Sequence, residues 1–185
     1  MDNAQRIKIL NDSGRSVFTA GDIYNLWHIN ILNAKAALKR MAQKKLLLKV
    51  TKGYYALNSD FNVYELANSI VSPSYVSCHS ALFYHGVSFQ VSSEIVSVAL
   101  INYKKTIAGK SFVFHAMKKT LFFNLESVNY KNNLAIASPE RAILDSLYFG
   151  LTPNLDNPDK INKYQLQKLV QYYPKSIGKK LKKLL

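Results

Sequence analysis

The chain has 185 residues, of which 48% are hydrophobic, with 12 Tyr and 9 Phe; this is enough for one large or two small domains that fold around a core without covalent staples. Its single cysteine, Cys78, excludes an internal disulfide framework and a Cys-based zinc site and suits a reducing cytosol. The formal charge of +14 is gathered at the ends, with ten basic against three acidic residues up to Asn58 and seven against none after Lys160, which favours a polyanionic partner (DNA, RNA or a membrane surface) over a small-molecule enzyme.

The start Met1-Asp-Asn-Ala-Gln-Arg6 lacks the apolar stretch of a signal peptide, and no run approaches the roughly 20 apolar residues of a membrane span. The expectation is a cytoplasmic protein without a membrane partner. In chain order, Ala4 to Leu10 reads as a short helix ended by Asp12-Ser13-Gly14. Thr19-Ala-Gly-Asp22 fits a capping box opening a second helix, about Ala20 to Trp27. After His28-Ile29, Asn30 is a good N-cap for a third. The segment Asn30 to Lys45 has no Gly or Pro, and Ile31, Ala34, Ala37, Leu38 and Met41 recur on one helical face. Its opposite face is centred near Ala36 and Gln43, with Leu32, Lys39 and Arg40 close by and Asn33 and Lys35 on the flanks. Leu46 to Val50 and Tyr54 to Leu57, joined by Thr51-Lys52-Gly53, carry the signature of a hairpin. Three helices and then a basic-tipped hairpin is the order of a winged helix-turn-helix.

The polar stretch 58–62 marks a domain boundary, and a short helix, Val63 to Val71, follows it. Ser74 to Gly86 reads as one helix closed by Gly86. Ile95 to Ile101, Ser111 to His115, Leu121 to Phe123 and Leu134 to Ala137 read as strands of a small antiparallel sheet. Ser138-Pro139-Glu140 is a helix start, and the helix it opens carries Arg141 and Asp145 four apart as a surface pair. Asn162 to Tyr173 reads as a last helix, broken by Pro174 and followed by a basic tail, 175–185, read as solvated or as touching nucleic acid or an acidic partner.

Residues capable of catalysis do not assemble. Cys78 and His79 are helix neighbours pointing about 100 degrees apart, so a thiol–imidazole pair is excluded. His28, His79, His85 and His115 lack the spacing of a metal motif. Glu140 and Asp145, five apart, do not share a face for general acid and base work. The expectation is a binding protein, not an enzyme, with no cofactor and no metal.

Several stretches together resemble the AbiEi-type antitoxins, transcriptional regulators of abortive-infection toxin–antitoxin systems: Phe18-Thr-Ala-Gly-Asp-Ile23; Ala37-Leu-Lys-Arg-Met41 with Lys45-Leu46 and Lys52-Gly-Tyr-Tyr-Ala-Leu57; Ser72-Pro-Ser-Tyr-Val-Ser77 with Ser80-Ala-Leu82 and His85-Gly86; and Ala137-Ser-Pro-Glu-Arg-Ala-Ile-Leu-Asp145. The resemblance covers about Ser16 to Phe149. It implies an N-terminal winged helix that binds inverted repeats in its own promoter and a C-terminal domain that counteracts a cognate nucleotidyltransferase toxin. The link His28-Ile-Asn30 departs from the pattern in lacking a small residue or Gly.

The sequence therefore predicts an α+β protein, with a winged helix-turn-helix over 1–58 and a mixed α+β antitoxin or interaction domain over 59–185. In a DNA-binding mode Asn30, Leu32, Asn33 and Ala36 face base edges, Lys35, Lys39 and Arg40 face phosphates with Gln43 on the same face, and Lys49 and Lys52 hold the backbone or minor groove from the wing. The alternatives are a protein- or RNA-interaction module that uses the winged helix as a scaffold, and a membrane-surface adaptor working through 175–185.

Overall fold

A computed structural model describes residues 1–131 and 133–184 and is a mixed α+β structure with two sheets. The chain divides into two compact units, Met1–Ser69 and Ile70–Leu185.

In the first unit, helix α1 (Asn3–Asp12) is opened by a capping box in which the Asp2 side chain accepts from the Gln5 N–H. Strand β1 (Val17–Phe18) leads into α2 (Ala20–Trp27), where Thr19 and Asp22 form the capping box expected from their spacing. The Asp22 carboxylate accepts from the Thr19 N–H at 2.7 Å and is also bonded by Arg15. Helix α3 (Ile31–Gln43) follows, capped by Asn30. Lys45 takes a left-handed conformation, and the Leu46 N–H reaches back to the Met41 carbonyl, so the chain turns sharply off α3. Strands β2 (Leu48–Thr51) and β3 (Tyr54–Ala56) form the expected hairpin, with Gly53 supplying the positive φ of its turn. β1 also pairs with β3, giving a three-stranded antiparallel sheet of order β1-β3-β2. The core gathers Leu10, Phe18, Ile23, Trp27, Ala34, Ala37, Leu38, Met41 and Leu47. Ile31, expected on this buried face, is exposed at the first turn of α3.

Helix α4 (Val63–Ile70) is tied to this unit by Glu65, which is buried and accepts from both the N–H and the hydroxyl of Ser16.

The second unit is built on a six-stranded sheet of order β6-β7-β5-β4-β9-β8. Its strands are β4 (Ser74–Val76), β5 (Glu94–Ala99), β6 (Tyr103–Ile107), β7 (Lys110–Ala116), β8 (Val128–Lys131) and β9 (Leu134–Ala137). The expected antiparallel sheet is corrected to a mixed one: β4 pairs with β9 and β5 with β7 in parallel, while the other three pairings are antiparallel. The helix expected over Ser74 to Gly86 is divided, with β4 taking its first residues and α5 (Cys78–Tyr84) the rest. Of Leu121 to Phe123, expected as a strand, Leu121 and Phe122 belong to a single helical turn, α6 (Lys119–Phe122), and Phe123 is its C-cap, because a short apolar run fits either structure. Helix α7 (Pro139–Tyr148) starts as its Ser-Pro-Glu signal predicts, and α8 (Lys163–Val170) is capped by Asn162. The residues after Pro174 are not a solvated tail. Lys175–Leu184 form helix α9, whose Ile177 and Leu181 are buried.

The turn between α2 and α3 is made without glycine, by His28 at φ 52 and ψ 43. That conformation crowds Cβ against the next carbonyl, a cost histidine tolerates better than a β-branched residue. His28→Val is expected to lower stability by about 1–2 kcal/mol while His28→Gly does not lower it, as read from denaturant unfolding midpoints.

Candidate nucleic-acid interface

Helix α3 and the β2–β3 hairpin form an exposed, acid-free surface. From Ile23 to Ser59 the chain contains no Asp or Glu, and it contains Lys35, Lys39, Arg40, Lys44, Lys45, Lys49 and Lys52. The core takes Ala34, Ala37, Leu38 and Met41, so helical geometry turns the intervening residues outward. Asn30, Leu32, Asn33, Lys35, Ala36, Lys39, Arg40 and Gln43 are all exposed, as are Lys49 on β2 and Lys52 in the hairpin turn. Leu32 is 72% exposed and Ile31 40% exposed, so the start of α3 presents apolar surface among polar and cationic groups.

The two asparagines differ. Asn30 Oδ1 accepts the Asn33 N–H at 2.8 Å and closes the helix. A bidentate contact to an adenine edge uses both the oxygen and the nitrogen of an amide, and Asn30 has already committed its oxygen. Asn33 keeps its side-chain amide for other partners.

In the hairpin the register shifts between Lys49 and Thr51; such an irregularity bends and twists the strand that carries Lys49. Tyr54 donates its hydroxyl to the Ser69 carbonyl at 3.2 Å, which anchors the turn end of the hairpin to α4.

The second unit holds a different kind of site. Asp145, expected at the surface, is fully buried, and Arg141 is 2% exposed. Asp145 accepts from the hydroxyls of Ser77 at 2.6 Å and Tyr75 at 3.1 Å on one oxygen and of Tyr173 at 2.6 Å on the other. The Arg141 guanidinium donates to the Tyr75 hydroxyl and to the carbonyls of Leu121, Asn124 and Glu126, and lies 4.9 Å from the Tyr75 ring centroid. Burial pushes the Asp145 carboxyl up from its ordinary range, opposed by Arg141 and by its hydroxyl donors. Burial likewise raises the Tyr75 and Tyr173 hydroxyls, with Asp145 acting in the same direction, and it raises the Cys78 thiol. With every oxygen of the carboxylate engaged and no opening to solvent, this cluster joins β4, α7 and the segment before α9; it has no room for a substrate.

On α9 the apolar residues Ile177 and Leu181 face inward and Lys180 donates to the Leu147 carbonyl at 3.1 Å. Lys175, Lys179, Lys182 and Lys183 are exposed on the other side. The apolar face required for insertion at a membrane surface is thus occupied by the unit's own core. No helix among the described residues is long and apolar enough to cross a membrane. Nor does any group of three or more His, Cys, Asp or Glu among them stand where it could hold a metal ion. His79 and His85 bond the carbonyls of Glu94 and Ala137, and His115 stacks on Phe149.

This arrangement defines a class of surface, a cationic helix and hairpin set on a small helical core. Compared with protein-family models and with curated proteins, the chain matches none.

The buried cluster makes a mutational prediction. Asp145→Ala leaves the Arg141 cation buried without its partner and is expected to cost about 3–5 kcal/mol in chemical denaturation. Tyr173→Phe, which removes one donor to the carboxylate, is expected to cost about 1–3 kcal/mol.

Proposed function

We propose that this chain is a winged helix-turn-helix DNA-binding protein of the cytoplasm, an autorepressor and antitoxin of the kind its sequence resembles, the AbiEi-type antitoxins. The observation that carries this reading is the acid-free surface of α3 and the hairpin, on which ten residues picked out from the sequence are all exposed. Helix α3 enters a major groove of double-stranded DNA, in inverted repeats of the protein's own promoter, and the β2–β3 hairpin is the wing.

Within that mode each residue has a role. Lys35, Lys39 and Arg40 neutralise phosphates, and Lys49 and Lys52 follow the backbone or minor groove. Asn33 reads an adenine edge, and Leu32 and Ala36 meet thymine methyl groups. Asn30 orders the first turn as its cap, and Gln43 lies on the same face near the helix end. The second unit acts against a cognate nucleotidyltransferase toxin, and the exposed lysines of α9 supply a cationic face for it. That same face favours a second reading, in which the protein engages an acidic protein or RNA directly and the first unit is a scaffold.

Fluorescence anisotropy with the protein's own upstream region and with shuffled duplex, over a range of salt concentrations, tests the proposal. Preference for the upstream sequence supports it; equal affinity for both duplexes selects the scaffold reading. Lys39→Ala is expected to weaken binding to all duplexes and flatten the log–log salt dependence by about one unit. Asn33→Ala is expected to lose about 1–3 kcal/mol of discrimination with a smaller effect on shuffled DNA. Equal losses on both duplexes for both variants would overturn the role assignment.

A further inference from the structure

Beside the outward face of α3 lies a groove of about 310 Å³ lined by Asn3 and Arg6 of α1 and by Ala37, Arg40, Met41 and Lys44 of α3. Ala37 and Met41 are buried and form an apolar floor. The three other long side chains are cations. Among the described residues the ion pairs are Arg15–Asp22, Lys104–Glu94, Arg141–Asp145 and Lys168–Glu126, so Arg6, Arg40 and Lys44 have no acidic partner. Arg40 and Lys44 are four apart on one helix, a spacing at which like charges repel.

Arg6 adds the most specific feature. Its guanidinium lies 5.1 Å from the ring centroid of Trp27, which holds the plane of the group in place. Its Nε is buried and makes no hydrogen bond, although a buried donor ordinarily finds an acceptor. A planar fork of N–H donors held against an aromatic ring, its buried Nε without an acceptor, is an arrangement that suits a tetrahedral oxyanion. A volume of this size stands at the lower end of the range for small-ligand sites, roughly 300–1,000 Å³.

We propose that the α1–α3 groove is a phosphate-binding site in which Arg6 presents its guanidinium edge and Arg40 and Lys44 close on the remaining oxygens. Along α3, Arg40 lies about 100 degrees from Lys39, so this site is on the flank toward α1. Arg40, placed above on a DNA phosphate, stands at the border between this site and the row of Lys35 and Lys39, whereas Arg6 and Lys44 belong to this site alone. The ligand class is a phosphate oxyanion, supplied either by a free phosphorylated metabolite or by a backbone phosphate at the margin of a bound duplex.

Trp27 is the only tryptophan; it stacks on Arg6 and shares a core cluster with Ala37 and Met41 of the groove floor, so its emission reports on the site. The experiment titrates the full-length protein with sodium pyrophosphate at constant ionic strength and follows that emission. A saturable change is expected. Arg40→Ala and Lys44→Ala, exposed positions that leave the core intact, are each expected to weaken it by roughly tenfold. Lys8→Ala, exposed on another face of α1, is expected to leave it unchanged. A second arm uses short duplex DNA: if duplex but not pyrophosphate gives a change that depends on Arg40 and Lys44, the site takes a backbone phosphate. The proposal is overturned if neither ligand gives a saturable change, or if the change persists in Arg40→Ala and Lys44→Ala. The pyrophosphate arm does not involve sequence-specific DNA binding, so either proposal can fail alone.

Discussion

A carboxylate withdrawn completely from water must have its charge answered within the protein, and the second unit is arranged around that requirement at Asp145. Three hydroxyls converge on it, from Tyr75 and Ser77 at and beside β4 and from Tyr173 at the end of the segment leading to α9. The hydroxyl of Ser77 is so committed that it does not cap α5, although Ser77 stands at the N-cap position. Arg141, one turn earlier on α7, extends the cluster by donating to three carbonyls of the 121–126 segment. Segments far apart in sequence are thereby fixed to one helix. Breaking any member exposes the cost of the others, because a half-satisfied buried network is worse than none.

The first unit is held by other means. Its core is apolar and small, and its polar anchors sit at helix starts and in the Ser16–Glu65 contact. Those anchors fix the backbone of α2 and α4 while leaving the outer face of α3 untouched. Ala34 and Ala37 let α3 pack closely on the core that Leu38 and Met41 enter, while Lys35, Lys39 and Arg40 are exposed. The surface proposed as the DNA reader is therefore a rigid helix face carrying flexible cations, with the hairpin beside it.

Much of this was legible in the sequence wherever the signal is local. The capping box at Thr19 and Asp22, the Asn30 cap, the period of α3, the Gly53 turn and the Ser138-Pro139-Glu140 start each depend on residues within a few positions of one another, and each is found where the pattern placed it apart from Ile31, which the first turn of α3 leaves exposed. What the sequence hid was non-local. Nothing in Val17-Phe18 announces a strand, since two residues become one only by pairing with β3. The three residues of β4 are masked by the helix that begins directly after them. The parallel pairings of β4 with β9 and β5 with β7 join segments whose relative direction no periodicity encodes. Arg141 and Asp145 look like a solvent-facing i, i+4 pair, because charged residues are rarely buried; the tyrosines that make burial tolerable lie 66 and 28 residues away. Arg6 had no visible role, since its meaning comes from Trp27 and α3 rather than from its neighbours on α1.

The acidic residues of the first unit explain why its basic ones count. Asp2 accepts from a backbone N–H at the start of α1, Asp22 closes the α2 box and bonds Arg15, and Glu65 holds Ser16. These three anions are thus used as fastenings close to the backbone, and none of the unit's acids lies on α3 or the hairpin. The cations of α3 and the hairpin, in contrast to Lys104 and Lys168, form no ion pair among the described residues. Their long side chains contribute nothing to the core, and their mutual repulsion opposes folding. A stretch from Ile23 to Ser59 without one compensating acid is costly for stability alone and favourable once a polyanion lies against it, because the bound partner supplies the missing charge and releases its counterions. That asymmetry between how the two signs are used is the physical argument for reading this surface as one built to meet nucleic acid.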